Sequence, residues 1–539
     1  MAQLVEHRSR KAGVIGSNPI TGSMITRRPV GATSPVFLCG RIGSANARCE
    51  KSREHTLSAH AMRPGIWLAR EGTRCSTIVA NGFLAVSYVY PCLSKEGCAT
   101  MATPGTAPTA LPCTPSSSYD VAPGFELAPV ERLFCELVAI DSPSLGERAM
   151  ADYVRAELER IGFAVDEDAT AGRNDGMVTS MTNSRRMQRS LAGMFPAELR
   201  TIRLAHTGSN TGNLFATMPG VGEPLLFLVH LDTVQPAHGK RAQVHADGTI
   251  TSAGDTVLGA DCLGGVAAVM AAVEHLEQQG IPHRPVELAL MVAEEIGNIG
   301  ARAFDFTRCQ AQMAYTLDYA GDPHQYAYQA PTIIYVTADI AGRAAHAGFE
   351  PEKGISAIKI AAEAIDHVDI GRIDNETTAN IGLISGGRGT NVVPSTCIVR
   401  GEVRSYNHAK AQRQAEHMKS LFESAARAEG GSVTVTISEA CRAYSMPQDA
   451  PVIRHFEEAC RACGLPEAQG APTFGGSDNN VAVACGIPGI VMANGMRLPH
   501  STREYVEPGD LRTIQQLVEA LLTVGLDPAT GADALSPQA

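Results

Sequence analysis

Five short stretches of this sequence end in side chains that could bind a metal ion. The first is the apolar run at residues 226–229, which stops at His230 and is followed by Asp232. Residues two apart in a strand point to the same side, so Asp232 could hold one ring nitrogen of His230 and turn the other toward a metal ion. Taken alone, such a tripeptide is more often a polar turn that closes a strand.

The other four stretches lie far apart along the chain. Asp261 stands where a loop enters an apolar helix, an ordinary N-cap position that also favours an ionised carboxylate. Glu294 and Glu295 follow a second apolar run and leave it in different directions, so one could ligate a metal while the other faces a metal-bound water. Asp318 ends a short strand, and His500 lies in a loop. Three strands that end in histidine or acid are hard to attribute to solvation alone.

An α/β sheet would position these residues. The largely apolar stretches at 225–230 and 286–293 are typical of buried central strands, and helical spacing of apolar residues predicts helices over 129–140 and 148–161. Open sheets bind ligands beyond the carboxyl ends of their strands, which is where the histidine and the acids fall. We therefore expect an α/β catalytic domain with a mixed, mostly parallel central sheet flanked by helices.

A second folding unit interrupts the first. Beyond about residue 328 the pattern is strand, helix, strands, helix, strand, which predicts an inserted α+β domain of the ferredoxin-like kind. Basic, Met- and Ser-rich sequence at 172–208 predicts an insertion loop. The expected divisions are a catalytic domain at 125–328 and 445–526, a lid and dimerisation domain at 329–444, and a tail at 527–539.

Residues 1–124 differ from the rest in composition. They are basic and Ser-rich, then Pro- and Thr-rich, with no sustained helical or strand period, so we expect disorder or a spurious extension. The opening resembles translation through a transfer-RNA gene, which would make Met101 the true start. A transit peptide is the alternative. No secretory signal or transmembrane segment is evident.

The overall composition indicates a soluble, acidic protein. The chain has 539 residues, with 45 Lys+Arg against 56 Asp+Glu and a pI near 5.8, which argues against nucleic acid and membranes as partners. Its 14 cysteines show no disulfide spacing and are expected to be reduced in the cytoplasm. Cys460 and Cys463 form a C-x-x-C without a second pair, so a metal or redox role is not favoured there.

Together the stretches resemble the zinc-dependent peptidase superfamily that contains peptidase T, glutamate-releasing carboxypeptidases and aminoacylases. The His-x-Asp, Gly-x-Asp, Glu-Glu, Asp and final His elements occur in that family's order over residues 126–525. The segments 345–348, 351–354 and 371–382 look most like the peptidase T branch. The resemblance implies a metallopeptidase that acts on short peptides.

The resemblance also implies roles for the individual residues. His230 and Asp318 would hold one zinc, Glu295 and His500 the other, and Asp261 would bridge them. Two metals about 3.5–4 Å apart polarise a carbonyl and lower the pKa of a water to about 7. The nitrogen and carboxylate ligands suit zinc, with cobalt or manganese as alternatives. Glu294 would be the general base and Asp232 the partner of His230.

The lid would complete the site. His346 matches the family's lid histidine, which stabilises the oxyanion and often comes from the partner subunit, so a homodimer is expected. Asn391 and Arg404 match positions that bind the substrate's carboxylate or backbone. Gly475 and Gly476 would let the backbone approach the substrate closely.

Two features depart from the family pattern. Many relatives have Asp and Lys after the bridging acid, whereas this chain has Cys262 and Leu263, and the 172–208 insertion has no recognised counterpart. We expect the first change to alter the packing around Asp261 more than the binding of the metals.

The resemblance therefore implies a dinuclear zinc aminopeptidase that removes the amino-terminal residue from short peptides, chiefly tripeptides. A carboxypeptidase or an N-acyl-amino-acid deacylase would use the same metals, and the sequence leaves that choice open. The rival from another class is a non-catalytic binding protein. It predicts the loss of a ligand or of the base, whereas every element is present.

Overall fold

The computed structural model describes residues 118–172, 178–180, 202–204 and 206–526. The predictions made for 1–117, for most of the 172–208 insertion and for the tail at 527–539 lie outside these residues. Within the insertion, an antiparallel pair joins β3 (Val178–Ser180) to β4 (Ile202–Leu204). Strand β1 (Tyr119–Val121) precedes the predicted start of the catalytic domain at residue 125.

The catalytic domain is built on a nine-stranded sheet in the order β17-β11-β19-β10-β6-β9-β5-β2, with β18 paired to β11. The members are β2 (Ala164–Glu167), β5 (Leu214–Met218), β6 (Leu225–His230), β9 (Val286–Met291), β10 (Ala314–Tyr319), β11 (Gln325–Ala330), β17 (Tyr444–Ser445), β18 (Gln469–Pro472) and β19 (Gly489–Ala493). The four adjacent strands β19, β10, β6 and β9 run parallel, and β11 and β5 flank them antiparallel. The expected mixed α/β sheet is confirmed.

Helices cover both faces of this sheet. They are α1 (Pro129–Val138), α2 (Arg148–Ile161), α3 (Ala260–Gln279), α4 (Ile299–Ala303), α7 (Pro451–Ala462), α8 (Asp478–Ala484) and α9 (Asp510–Thr523). One core contains α1, α2, α3, α7 and α9, and a smaller core on the other face contains α4 and α8. Every residue of β6 and β9 is buried because helices lie on both sides, which is why these strands are apolar except for Glu287 and the terminal His230.

Helix α3 approaches the sheet closely because its first turns contain glycine. A Cβ atom on Gly265 would lie only 2.7 Å from Leu317 Cβ, so a larger residue there would push α3 away from β10. Asp261 and Asp318 lie at the adjoining ends of these two elements. The glycine therefore helps to bring the two carboxylates together.

A second, five-stranded sheet borders the catalytic domain in the order β1-β7-β8-β21-β20. Its remaining strands are β7 (Ala242–Val244), β8 (Ile250–Ser252), β20 (Met496–Arg497) and β21 (Tyr505–Val506). The antiparallel pair β20 and β21 holds the loop that contains His500.

The inserted lid domain is an antiparallel sheet in the order β13-β14-β15-β12-β16 with two helices packed on one face. Its elements are β12 (Thr332–Ala341), α5 (Ala357–Asp366), β13 (Gly371–Asp374), β14 (Thr377–Gly386), β15 (Thr396–Ser405), α6 (His408–Ala428) and β16 (Ser432–Cys441). The α+β prediction is confirmed. The chain crosses between the domains twice, at Pro331 and near Arg442. None of the helices in the described part of the chain has the length and apolar character of a membrane span.

Candidate metal centre

The predicted ligands meet beyond the carboxyl ends of the parallel strands. His230 is the last residue of β6, and Asp318 lies near the end of β10, where the pairing with β19 is irregular. Glu295 follows β9, and Asp261 lies at the start of α3. The loop before β21 brings in His500, which has a left-handed backbone (φ 59°).

Asp261 lies at the middle of the cluster. Its two carboxylate oxygens contact different histidines, with Oδ1 3.1 Å from His230 Nε2 and Oδ2 3.1 Å from His500 Nε2. His230 Nε2 is also 3.7 Å from Asp318 Oδ1, and His500 Nε2 is 3.0 Å from Glu295 Oε2. His230, Asp261 and Glu295 offer ligand atoms that all lie within 4.8 Å of one another. The five residues thus form two groups that share Asp261.

The electrostatics of the cluster call for a cation. Burial raises the pKa of Glu295 to about 7 and that of Asp318 to about 7, with the charge of Asp261 adding to both. Burial opposes ionisation of Asp261 as well, but hydrogen bonds from His230 and His500 hold its pKa below its usual range. In the described part of the chain, the ion pairs of these three carboxylates are with histidines.

One buried oxygen of the cluster lacks a partner. Among the described residues, no group donates a hydrogen bond to Glu295 Oε1, although this atom is shielded from solvent. An unpaired buried carboxylate oxygen is costly, and a metal ion would satisfy it. Imidazole and carboxylate groups at these distances fit divalent zinc, cobalt or manganese.

Asp232 contacts His230 through two of its oxygens. The His230 ring nitrogen Nδ1 lies 2.9 Å from the backbone oxygen of Asp232 and 3.5 Å from its carboxylate. The carboxylate also accepts hydrogen bonds from the backbone N–H groups of Glu294 (2.9 Å) and Glu295 (3.3 Å) and from Ser144 Oγ (2.7 Å). Asp232 is fully buried, and its hydrogen bonds join the ends of β6 and β9.

Glu294 lies beside the cluster without joining either ligand group. Burial raises its pKa well above its ordinary value, and the negative charges of Asp318, Asp478 and Glu295 act in the same direction. Asn298 Nδ2 donates to Glu294 Oε1 at 2.7 Å. A buried carboxylate with a raised pKa beside a cluster of candidate metal ligands is a candidate general base.

Several buried polar residues that support the site were not predicted. Glu504 Oε2 and Oε1 accept from the N–H groups of Gly259 (2.7 Å) and Asp261 (3.0 Å), which fixes the loop before α3. Glu147 accepts from the Ala293 N–H, and Asp478 contacts Asn298. Each lies far from its partner in sequence, so no local pattern could have revealed it, although Asp478 lies only two residues after the predicted Gly476.

Cys262 lies next to the ligands with its thiol buried. The Sγ atom donates to the backbone oxygen of Leu317 at 2.8 Å, between the ends of β6 and β10. Cys262, His230 and Asp318 also have ligand atoms within 4.8 Å of one another. Burial raises the pKa of this thiol well above its ordinary value.

The predicted lid residues lie on two parts of the inserted domain. His346 and Asn391 share one loop region, where the Ala347 N–H donates to the Asn391 backbone oxygen at 3.0 Å and the His346 ring stacks on Phe349 with ring centroids 4.1 Å apart. Arg404 lies on β15, where its guanidinium binds both carboxylate oxygens of Glu402 (2.8 and 3.0 Å).

A further hydrogen bond of Arg404 joins the lid to the glycine loop. Its Nη1 donates to the backbone oxygen of Phe474 at 2.8 Å, directly before Gly475 and Gly476. A Cβ atom on Gly476 would come within 2.8 Å of Ile333, so the absent side chain lets this loop pack against β12.

Comparison with known proteins supports the assignment made from fold and site. Residues 330–430 match the family model described as a peptidase dimerisation domain. The uncharacterized protein YqjE of Bacillus subtilis is 34% identical over 391 residues, which cover 72% of this chain and 96% of that protein. Peptidase T of Geobacillus kaustophilus is 25% identical over 378 residues, covering 62% and 90% of the two chains.

Two crystal structures resemble the whole catalytic and lid assembly. A tripeptidase from Staphylococcus aureus matches with 30% identity and a TM-score of 0.62, covering 74% of this chain and 97% of that one. The aminopeptidase PepT from Bacillus cereus matches with 33% identity and a TM-score of 0.59, covering 73% and 97%. The fold and the site are those of a two-domain metallopeptidase. Within that class, the chain belongs to the M20 peptidase family, close to peptidase T, as the sequence motifs predicted.

Proposed function

We propose that this protein is a dinuclear zinc aminopeptidase that removes the amino-terminal residue from short peptides, with tripeptides as the main substrates. The observation that carries the proposal is the pair of ligand groups that share Asp261, together with the unpaired buried oxygen of Glu295. The similarity to a tripeptidase and to an aminopeptidase supports the substrate class.

The five residues of the cluster would hold the metals. His230 and Asp318 would ligate one zinc, Glu295 and His500 the second, and Asp261 both. When bound, the ions would polarise the scissile carbonyl and make water acidic enough to attack at neutral pH.

Glu294 would move the proton. In the anionic form, its carboxylate would accept a proton from the attacking water and then deliver it to the leaving amine. Its raised pKa suits this exchange, because a base that takes up the proton must also release it. Asp232 would keep Glu294 and Glu295 in place through their backbone N–H groups.

The lid would bind and orient the substrate. His346 and Asn391 lie in one loop region of the same chain, so in a homodimer the partner subunit would supply both to the substrate together. Arg404 would release Glu402 to bind a substrate carboxylate, because its guanidinium would make the same bidentate contact with either carboxylate. Gly475 and Gly476 would line the substrate's backbone.

The test combines metal content with a substrate panel. We expect two zinc ions per chain and cleavage of tripeptides ahead of dipeptides and acylated amino acids. Glu294→Ala should keep both metals and lose turnover by at least about 100-fold, which is the lower range of a general base's contribution. Cleavage confined to acylated amino acids would indicate a deacylase instead. Unchanged turnover in Glu294→Ala would remove Glu294 from this role.

A further inference from the structure

A buried amide connects Glu294 to a second buried carboxylate. Asn298 Nδ2 donates to Glu294 Oε1 at 2.7 Å and to Asp478 Oδ1 at 3.3 Å. A primary amide has two N–H hydrogens, so one nitrogen can serve both acceptors. The exposed fractions of Glu294, Asn298 and Asp478 are 8%, 4% and 1%, so water competes little for these bonds.

The backbone also fixes Asn298 against Glu294. Asn298 has a left-handed conformation (φ 53°), which Asn adopts more readily than other residues with a Cβ. Its own N–H and that of Gly297 both donate to the Glu294 backbone oxygen, at 2.8 and 2.9 Å. This tight turn brings the Asn298 amide back onto the Glu294 carboxylate.

The segment that carries Asp478 is anchored where the two domains join. Asn480 Nδ2 donates to the backbone oxygens of Pro331 (3.1 Å) and Arg442 (2.8 Å), which lie at the two chain crossings between the catalytic domain and the lid. Asp478 is two residues away on the same helix, α8. Its position relative to Asn298 is therefore set by the domain junction.

On the basis of the function proposed above, we propose that Asn298 and Asp478 are positioning residues that orient the Glu294 carboxylate toward the attacking water. Glu294 has a flexible side chain, and a general base must lie within hydrogen-bond reach of the proton it takes. The Asn298 amide fixes one carboxylate oxygen, and Asp478 fixes the amide. The other Glu294 oxygen is thereby left free to face the five candidate metal ligands.

The experiment uses the metal-loaded full chain and the tripeptide that the wild type cleaves best. Asn298→Ser and Asp478→Ala should each lower kcat about 10- to 100-fold, because small displacements of a catalytic group have effects of this size. KM and zinc content should stay within about twofold of wild type.

The matched control is Asn479→Ser. Asn479 is also a buried amide of α8, but it donates to the Gly489 backbone oxygen at 3.1 Å instead of contacting the two carboxylates. This variant should lower the thermal midpoint while keeping kcat.

The conservative variant Asp478→Asn separates positioning from stability. Its amide oxygen can still accept from Asn298 Nδ2, so the Asn298 amide keeps a partner. Asp478→Asn should therefore recover most of the kcat that Asp478→Ala loses. Equal kcat in Asp478→Asn and Asp478→Ala, or normal kcat in Asn298→Ser, would overturn the proposal.

The outcomes that refute the proposed function differ from those that refute the positioning role. The proposed function is refuted when Glu294→Ala keeps its turnover or when the wild type cleaves no peptide. A wild type that depends on Glu294, combined with a fully active Asn298→Ser, refutes the positioning role alone.

Discussion

Glu147 is a buried carboxylate that holds the turn from which Glu294 and Glu295 project. Its Oε1 accepts from the N–H groups of Leu145 (2.8 Å) and Ala293 (3.0 Å), and its Oε2 accepts from Ser209 Oγ (2.6 Å). Leu145 and Ala293 both have positive φ, 71° and 53°, a conformation that residues with a Cβ rarely adopt. Glu147→Ala would leave both strained turns without their acceptor.

The size of the effect follows from the three bonds. A hydrogen bond to a charged group contributes about 1.5–3 kcal/mol, and contributions within one network are not additive. We therefore expect Glu147→Ala to lower the free energy of unfolding by about 3–5 kcal/mol. The left-handed turn at Ala293 should relax, and a shift of Glu294 by about 1 Å would reduce kcat about 100-fold.

Glu147→Gln is the matched control. Its amide oxygen can still accept from both N–H groups, and its NH2 group can donate to Ser209 Oγ. Burial raises the pKa of Glu147, so a neutral side chain also avoids burying a charge. We expect a loss of about 1 kcal/mol or less, the size of one neutral hydrogen bond. Denaturant titration and kcat of the metal-loaded variants provide the assay. An Ala variant as stable and as active as the Gln variant would refute this account of the turn.

Two further predictions concern the metal-free site and the lid. Glu295 and Asp318 have pKa values raised to about 7. The folded metal-free protein therefore binds more protons than the unfolded chain between about pH 4.5 and 7, and these groups should lower stability as the pH rises through that window. The thermal midpoint of the metal-stripped wild type should therefore fall more steeply between about pH 4.5 and 7 than that of metal-stripped Glu295→Gln, which has lost one of these groups. Parallel pH profiles of the two proteins would contradict this prediction. In the described part of the lid, residues 380–386 of β14 have an outer edge without a strand partner, and Ile384 there is 52% exposed. Ile384→Lys should shift a homodimer toward monomer in light scattering, because lysines on an edge strand oppose strand pairing. The control Ile370→Lys, in the loop before β13, should leave the dimer intact. A dimer unchanged by Ile384→Lys would exclude this edge as the dimer interface.

The sequence by itself determined the candidate ligands and the fold class. Apolar runs that stop at histidine or acid can be read directly, and several of them together indicate a site because open α/β sheets bind ligands beyond the carboxyl ends of their strands. His230, Asp318 and Glu295 are of this kind, and the order of the motifs indicated the family. The order strand, helix, strands, helix, strand likewise predicted the α+β class of the lid.

Only the tertiary structure decided what holds these residues in place. Asp232 was predicted to support His230 through its carboxylate, which lies 3.5 Å from the His230 ring. The sequence did not predict that the same carboxylate binds the backbone of the neighbouring strand end, which follows because β6 and β9 are adjacent in the sheet. Glu147, Asp478 and Glu504 contact partners 146, 180 and 243 residues away. Such contacts depend on how strands are ordered and helices packed, and local spacing carries no record of that order.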